Sequence, residues 1–139
     1  MKILIVNGPN LNLLGKREPE IYGNLGLDEL ISNLSKAFPQ VEISHFQSNV
    51  EGELINVLQS QDQEVNIILN AGGYTHTSVA LRDCVSGIGN RVVEVHISNI
   101  TSRESFRHES LISPVCEGCI FGFGLKSYDL AIQYFVMNP

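Results

Sequence analysis

The sequence predicts an α/β protein with a doubly wound sheet of five parallel strands and helices on both faces. Short apolar runs rich in β-branched residues alternate with segments whose apolar residues recur every three or four positions. Continuous apolar strands joined by helices are typical of a parallel sheet covered on both sides. The 139 residues are too few for a β/α barrel, which needs about 250. We therefore expect one domain over residues 1–139.

Strands and helices are predicted to alternate about five times. The strands are predicted over Lys2–Asn7, Val41–Phe46, Val65–Leu69, Arg91–His96 and Gly118–Phe121. Helical spacing runs from Leu27 to a stop near Phe38, through Leu54, Ile55 and Leu58, through Ala80, Leu81, Cys84, Val85 and Ile88, and over Leu125–Met137. In such folds ligands bind beyond the carboxyl ends of the strands, so we expect the site in segments 7–24, 47–50, 70–77 and 96–108.

Charge and composition argue against several kinds of partner. The net charge is −6 and the pI is near 5.1, which disfavours a nucleic acid held by phosphate contacts. Apolar runs are far shorter than the roughly 20 residues of a membrane helix, and the N-terminal run Ile3–Val6 is too short for a signal peptide. We expect no membrane partner. Three cysteines, an odd number, suit a reducing compartment, and we expect a cytoplasmic location.

Polar residues cluster after three of the predicted strands. The first strand leads into a loop far longer than the usual 2–6 residues, and this loop lacks both the dinucleotide-binding glycine pattern and the P-loop pattern. The third strand ends at Asn70, followed by two glycines, His76 and Ser78, which can cap the next helix. Alternation places Glu94 and His96 on one side of the fourth strand.

These residues point to acid–base chemistry rather than to nucleophilic or metal catalysis. No G-x-S-x-G motif occurs, the Cys116–Cys119 C-x-x-C pair is interpreted as incidental, and a metal site of His76 and His96 with Glu94 and Asp83 is weakly supported by its spacing. His96 can donate or accept a proton near neutral pH. Arg17, Arg103 and Arg107 favour a small anionic ligand.

Tyr22 is a further candidate for proton transfer, and Arg17 lies five residues before it. Lowering a phenol pKa from about 10 to about 7 requires roughly 4 kcal/mol. One guanidinium at about 4 Å supplies energy of that order in a partly dry pocket, where the effective dielectric constant is about 20. A closing loop would exclude water and bring the two groups together.

Several motifs together resemble type II 3-dehydroquinate dehydratase over nearly the whole chain, in the family's order and spacing. They are NGPNLNLLG at 7–15, REP at 17–19 with YG at 22–23, QSN at 47–49 with EG at 51–52, residues 70–83, EVHISN at 94–99, and RE at 103–104 with FR at 106–107. The resemblance implies a flavodoxin-like fold, dehydration of 3-dehydroquinate to 3-dehydroshikimate in the shikimate pathway, and no metal or cofactor. The reaction would serve either aromatic amino acid biosynthesis or quinate degradation.

The resemblance also implies a role for each matched residue. Tyr22 would be the general base and Arg17 would hold it as phenolate; Asn10 would steady the enolate through a water; His96 would protonate the leaving hydroxyl, oriented by Glu94. The substrate would be bound by Asn70, His76 and Arg107 at its hydroxyls and by the N–H groups of Ile97 and Ser98 at its carboxylate. Asp83 would reach a neighbouring subunit of a homododecamer assembled from trimers.

The chain departs from the family pattern at Thr101-Ser102, where His-Ala is usual, and at Glu109, which stands where a histidine usually precedes Ser110. These departures concern the support of Arg107 and the affinity for substrate. Two other interpretations are carried alongside the dehydratase: a flavodoxin-like module that binds flavin or phosphate, and a non-catalytic relative that serves as an interaction scaffold. The scaffold would be expected to have lost Arg17, Tyr22 or His96, and all three are present.

Overall fold

The sheet of this protein is parallel throughout its described part, as predicted. A computed structural model describes residues 1–16, 20 and 25–139. Its strands are β1 Lys2–Asn7, β2 Glu42–Gln47, β3 Asn66–Asn70, β4 Val92–His96 and β5 Gly118–Phe121, and its α-helices are α1 Leu27–Ala37, α2 Glu51–Gln59, α3 Val79–Gly87 and α4 Lys126–Met137. The strand order is β2-β1-β3-β4-β5, which is the flavodoxin-like order. The predicted fold class is confirmed.

The predicted strands are confirmed, but β2 and β3 each begin and end one residue later than their apolar runs. Their last residues are polar, Gln47 and Asn70, and both pair in register with Asn7 at the end of β1. Hydropathy alone misses these positions because the ladder is held by backbone hydrogen bonds, which any side chain permits. Three amide side chains consequently meet at the carboxyl edge of the sheet.

Each face of the sheet packs on one pair of helices. Ile3 and Ile5 face α1 and α4, whereas Leu4 and Val6 face α2 and α3, as the alternation of a strand requires. The helices bury these large apolar residues fully or nearly so: Leu30, Leu34, Leu54, Leu58, Leu81, Ile132 and Phe135. The prediction that Ala80 belongs to the apolar face of this helix is wrong, because Ala80 is exposed. The buried stripe of α3 consists of Leu81, Cys84 and Val85.

The loops after β1 and β3 approach each other closely at Gly8. A β-carbon on Gly8 would lie 2.5 Å from the carbonyl oxygen of Ala71, and the Gly8 N–H donates to the carbonyl of Asn70 at 2.8 Å. Glycine is therefore required there for steric reasons. Among the helices of the described residues, none has the length and apolar character to cross a bilayer.

Candidate active site

A cavity of about 140 Å³ opens at the carboxyl edge of the sheet, where β1, β3 and β4 end. The position agrees with the rule for open α/β sheets and with the segments that the sequence predicted. The loop after β1 supplies an apolar wall through Leu11, Leu13 and Leu14. The polar and charged lining residues are Asn10, Asn70, His76, His96, Ser98, Arg103 and Arg107.

Asn10 is held in the cavity wall by the end of β2. Its backbone is left-handed, with φ of 70°, a conformation that asparagine tolerates better than most residues. Its N–H donates to Asn49 Oδ1 at 2.9 Å. Gln47 Nε2 donates to the same oxygen and to the carbonyl of Gly8, both at 3.2 Å. Residues 47–49 therefore hold the loop after β1 in place, but they do not themselves line the cavity.

His76 lies beside His96, with ring centroids 6.4 Å apart and planes inclined by 24°. Its Nδ1 is 2.7 Å from the carbonyl oxygen of Glu109. Since a carbonyl only accepts hydrogen bonds, Nδ1 carries the proton and neutral His76 presents Nε2 as an acceptor. The contact uses the backbone of residue 109, so it does not depend on the glutamate that replaces the family's usual histidine.

Glu94 stands behind His96 and is fully buried. His96 Nε2 lies 3.5 Å from Glu94 Oε1. Burial, the largest influence, opposes ionisation of Glu94, but the charge of the nearby His96 and the hydrogen bonds from Cys119 and Ser110 lower its pKa to about 2. Glu94 is therefore a carboxylate at neutral pH, and its Oε1 lies next to the His96 imidazole.

Three further donors hold this carboxylate, and the sequence did not predict any of them. Ser110 donates to Oε1 at 2.6 Å, Ser113 donates to Oε2, and Cys119 Sγ donates to Oε2 at 2.8 Å. Burial and then the hydrogen bond to Glu94 raise the pKa of Cys119 to about 12, so its thiol keeps its proton. The interpretation of the C-x-x-C pair as incidental did not include this contact, in which the Cys119 thiol donates to the carboxylate that lies beside His96.

Among the described residues, two arginines line the cavity and bring positive charge to it. Arg107 Nε donates to Glu104 Oε2 at 2.7 Å, and Arg103 Nε lies 3.9 Å from the same oxygen. The Arg107 guanidinium also lies over the ring of Phe106, 5.2 Å from its centroid. The Thr101-Ser102 departure is accommodated locally, since the Thr101 hydroxyl donates to Asn99 Oδ1 and the Ser102 hydroxyl to the Asn99 carbonyl.

The structure brings most of the predicted site residues together, with three exceptions. The cavity is lined by Asn10, Asn70, His76, His96, Ile97, Ser98 and Arg107, and Glu94 lies next to His96. The predictions for Arg17 and Tyr22 lie outside the described residues. Asp83 is exposed on α3 and lines a separate surface hollow rather than this cavity.

The residues that could hold a metal differ from those considered from the sequence. Within the described ranges, the ligand atoms of Glu94, His96 and Cys119 lie within 4.8 Å of one another. His76 and Asp83 do not belong to this group. A metal there would have to displace the Cys119 proton and the hydrogen bonds that already satisfy Glu94.

Comparisons of this chain with known proteins point to one family. The family model described as Dehydroquinase class II matches residues 1–136. A 3-dehydroquinate dehydratase of Exiguobacterium sp. is 54% identical over 96% of this chain and 92% of its own length, and one of Chlorobaculum tepidum is 51% identical over 94% and 90%. The crystal structure of a type II dehydroquinase from Butyrivibrio crossotus superposes with a TM-score of 0.90 at 44% identity, covering 96% of both chains.

Proposed function

This chain belongs to the class II dehydroquinase family, and from that premise we propose that it dehydrates 3-dehydroquinate to 3-dehydroshikimate. The observation that supports the proposal best is the pairing of His96 with a buried, ionised Glu94 at the end of β4. An imidazole held in this way at the edge of a cavity is suited to deliver a proton. The positive charge of the arginines in the same cavity favours an anionic substrate.

In the proposed mechanism, Tyr22 as phenolate removes a proton from the carbon next to the ketone, and Arg17 stabilises that phenolate. The electron pair of the broken C–H bond forms an enolate, whose oxygen Asn10 stabilises through a water. The enolate then collapses, the C–O bond at the β-carbon breaks, and His96 gives a proton to the departing hydroxyl. The product is the conjugated enone and one water, by anti elimination. Tyr22 loses and His96 regains a proton to restore the enzyme.

We assign substrate binding to the other polar residues of the cavity. Asn70, His76 and Arg107 would contact the ring hydroxyls, and the N–H groups of Ile97 and Ser98 would bind the carboxylate. The orientation of His76 supports its part, since Nδ1 is engaged by the Glu109 carbonyl and Nε2 is the nitrogen that can accept from a hydroxyl. The proposal includes no cofactor.

The direct test is an absorbance assay for the conjugated enone after 3-dehydroquinate is added to the purified protein. Tyr22→Phe should abolish nearly all turnover while substrate binding remains measurable, because the base is lost but the binding groups are kept. Tyr134→Phe is the matched control, because Tyr134 hydrogen-bonds Glu117 and does not line the cavity. Near-normal turnover of Tyr22→Phe would refute the assignment of the base.

Arg17→Lys tests the second half of the proposed pair. We expect a strong loss of turnover, since an ammonium point charge replaces a planar guanidinium. An unchanged rate would mean that another group ionises Tyr22.

A visible absorption band of bound flavin in the purified protein, without turnover of 3-dehydroquinate, would instead favour the flavin-binding module.

We also propose that the chain assembles as a homododecamer built from trimers, with Asp83 contributing to the site of a neighbouring subunit. The exposure of Asp83 on α3, away from the cavity of its own chain, supports this proposal. Light scattering of the purified protein tests it directly. A monomer would overturn both the assembly and the role of Asp83.

A further inference from the structure

A buried line of hydrogen bonds runs beneath the cavity, from Asn70 at the end of β3 to His45 on β2. Asn70 Nδ2 lies 2.9 Å from the Tyr128 hydroxyl, which lies 2.5 Å from Asn7 Oδ1, and Asn7 Nδ2 lies 3.1 Å from His45 Nε2. Asn7 and Tyr128 are fully buried and Asn70 is nearly so. We call these four residues the strand-end network.

A backbone group at one end fixes the direction of every bond in the strand-end network. The Gly72 N–H, which can only donate, lies 3.2 Å from Asn70 Oδ1. Asn70 must therefore present its NH₂ group to Tyr128, whose oxygen accepts. The single hydroxyl proton of Tyr128 then goes to Asn7 Oδ1, and Asn7 Nδ2 donates to His45.

The far end of the network agrees with this direction. His45 Nε2 must accept the bond from Asn7, which requires a neutral ring with its proton on Nδ1. Burial lowers the pKa of His45, opposed in part by the charge of Asp28, and so favours the neutral ring. Each hydrogen bond along the line then joins one donor to one acceptor, and this arrangement sets the orientation of the Asn70 amide.

We propose that Tyr128 is a positioning residue for substrate binding, which acts by holding the Asn70 amide in the cavity wall. The inference rests on the proposed function, in which Asn70 contacts a ring hydroxyl. One N–H of Asn70 donates to Tyr128, and Asn70 Oδ1 accepts from the Gly72 N–H. These two bonds set the plane of the amide and therefore the direction of its second N–H. Removing the Tyr128 hydroxyl leaves Asn70 Nδ2 and Asn7 Oδ1 without this partner and frees the amide to tilt.

The test compares Tyr128→Phe with Tyr134→Phe, since both remove a hydroxyl from α4 but only the first touches the network. We expect KM for 3-dehydroquinate to rise about tenfold in Tyr128→Phe, the factor for one lost hydrogen bond, with kcat within about twofold of the wild type. Tyr134→Phe should change neither constant. A purely structural role would lower the active fraction, and so the apparent kcat, without changing KM; that result would overturn the proposal.

A double-mutant cycle with Asn70→Ala separates this inference from the proposed function. If Tyr128 acts through Asn70, adding Tyr128→Phe to Asn70→Ala should raise KM no further. A further tenfold rise would overturn the positioning role. If Asn70→Ala leaves KM unchanged in an active enzyme, the assignment of Asn70 to the substrate fails, and an inactive wild type would refute the proposed function itself.

The half-buried end of the network offers a second pair of variants in case Tyr128→Phe does not fold. His45→Gln keeps an acceptor for Asn7 and should keep KM, whereas His45→Leu removes the acceptor and should raise KM severalfold with kcat retained. Equal KM values for these two folded variants would contradict the proposal.

Discussion

Replacing Glu94 by glutamine tests how much the buried carboxylate contributes to stability. The amide has the shape of the carboxyl group but cannot accept at both positions, and its NH₂ group would meet donors such as the Ser113 hydroxyl and the Cys119 thiol. We therefore expect Glu94→Gln to lower the free energy of unfolding at neutral pH. The size of the effect can be worked out from the titration of Glu94.

The folded protein lowers the pKa of Glu94 from its ordinary value of 4.5 to about 2. At about 1.4 kcal/mol per pH unit, the ionised group contributes roughly 3 kcal/mol to folding. Because the unfolded chain holds the proton more tightly than the folded one, this contribution is complete above about pH 4.5. It is lost as the pH falls from there through about pH 2, and roughly half of it remains near pH 3.

Urea denaturation of the wild type and of Glu94→Gln at about pH 7 and about pH 3 measures the effect. We expect the difference in unfolding free energy to be about 3 kcal/mol at the higher pH and about half of that at the lower. Glu42→Gln is the matched control, because Glu42 is exposed at the start of β2 and its replacement should change stability by less than about 0.5 kcal/mol. A difference between wild type and Glu94→Gln that is independent of pH would refute the reasoning.

Three further outcomes are expected. Gly8→Ala should lower the free energy of unfolding, measured by urea denaturation, by about 1–3 kcal/mol, because its β-carbon would overlap the Ala71 carbonyl. Gly52→Ala on α2 is the control: its β-carbon has open space, and the variant should be more stable by up to about 1 kcal/mol. Similar effects of the two substitutions would contradict the steric explanation. Ser78→Ala should cost about 1 kcal/mol, since the Ser78 hydroxyl accepts the Leu81 N–H at the start of α3, and an unchanged thermal midpoint would show that the cap is replaceable. Treatment with a metal chelator should leave turnover intact, and its loss would point to a metal at Glu94, His96 and Cys119.

The sequence by itself determined the class of fold and the edge of the sheet where the cavity lies. Apolar runs with β-branched residues and helical spacing between them report burial directly, because each depends only on which side chains avoid water. The side of β4 shared by Glu94 and His96 followed from the two-residue period of a strand. The motifs around these positions indicated the family, which the family model and the relatives confirm.

The tertiary structure decided which groups surround those residues. Ser110, Ser113 and Cys119 meet at Glu94 from segments 16 to 25 residues away, and their local sequence carries no pattern that points to a carboxylate. Tyr128 contributes its ring to the buried face of α4, a helix that the spacing predicted, but its hydroxyl reaches Asn7, 121 residues earlier. Periodicity reports the face of an element that is buried; hydrogen-bond partners depend on how distant elements pack, so they could be read only from the folded chain.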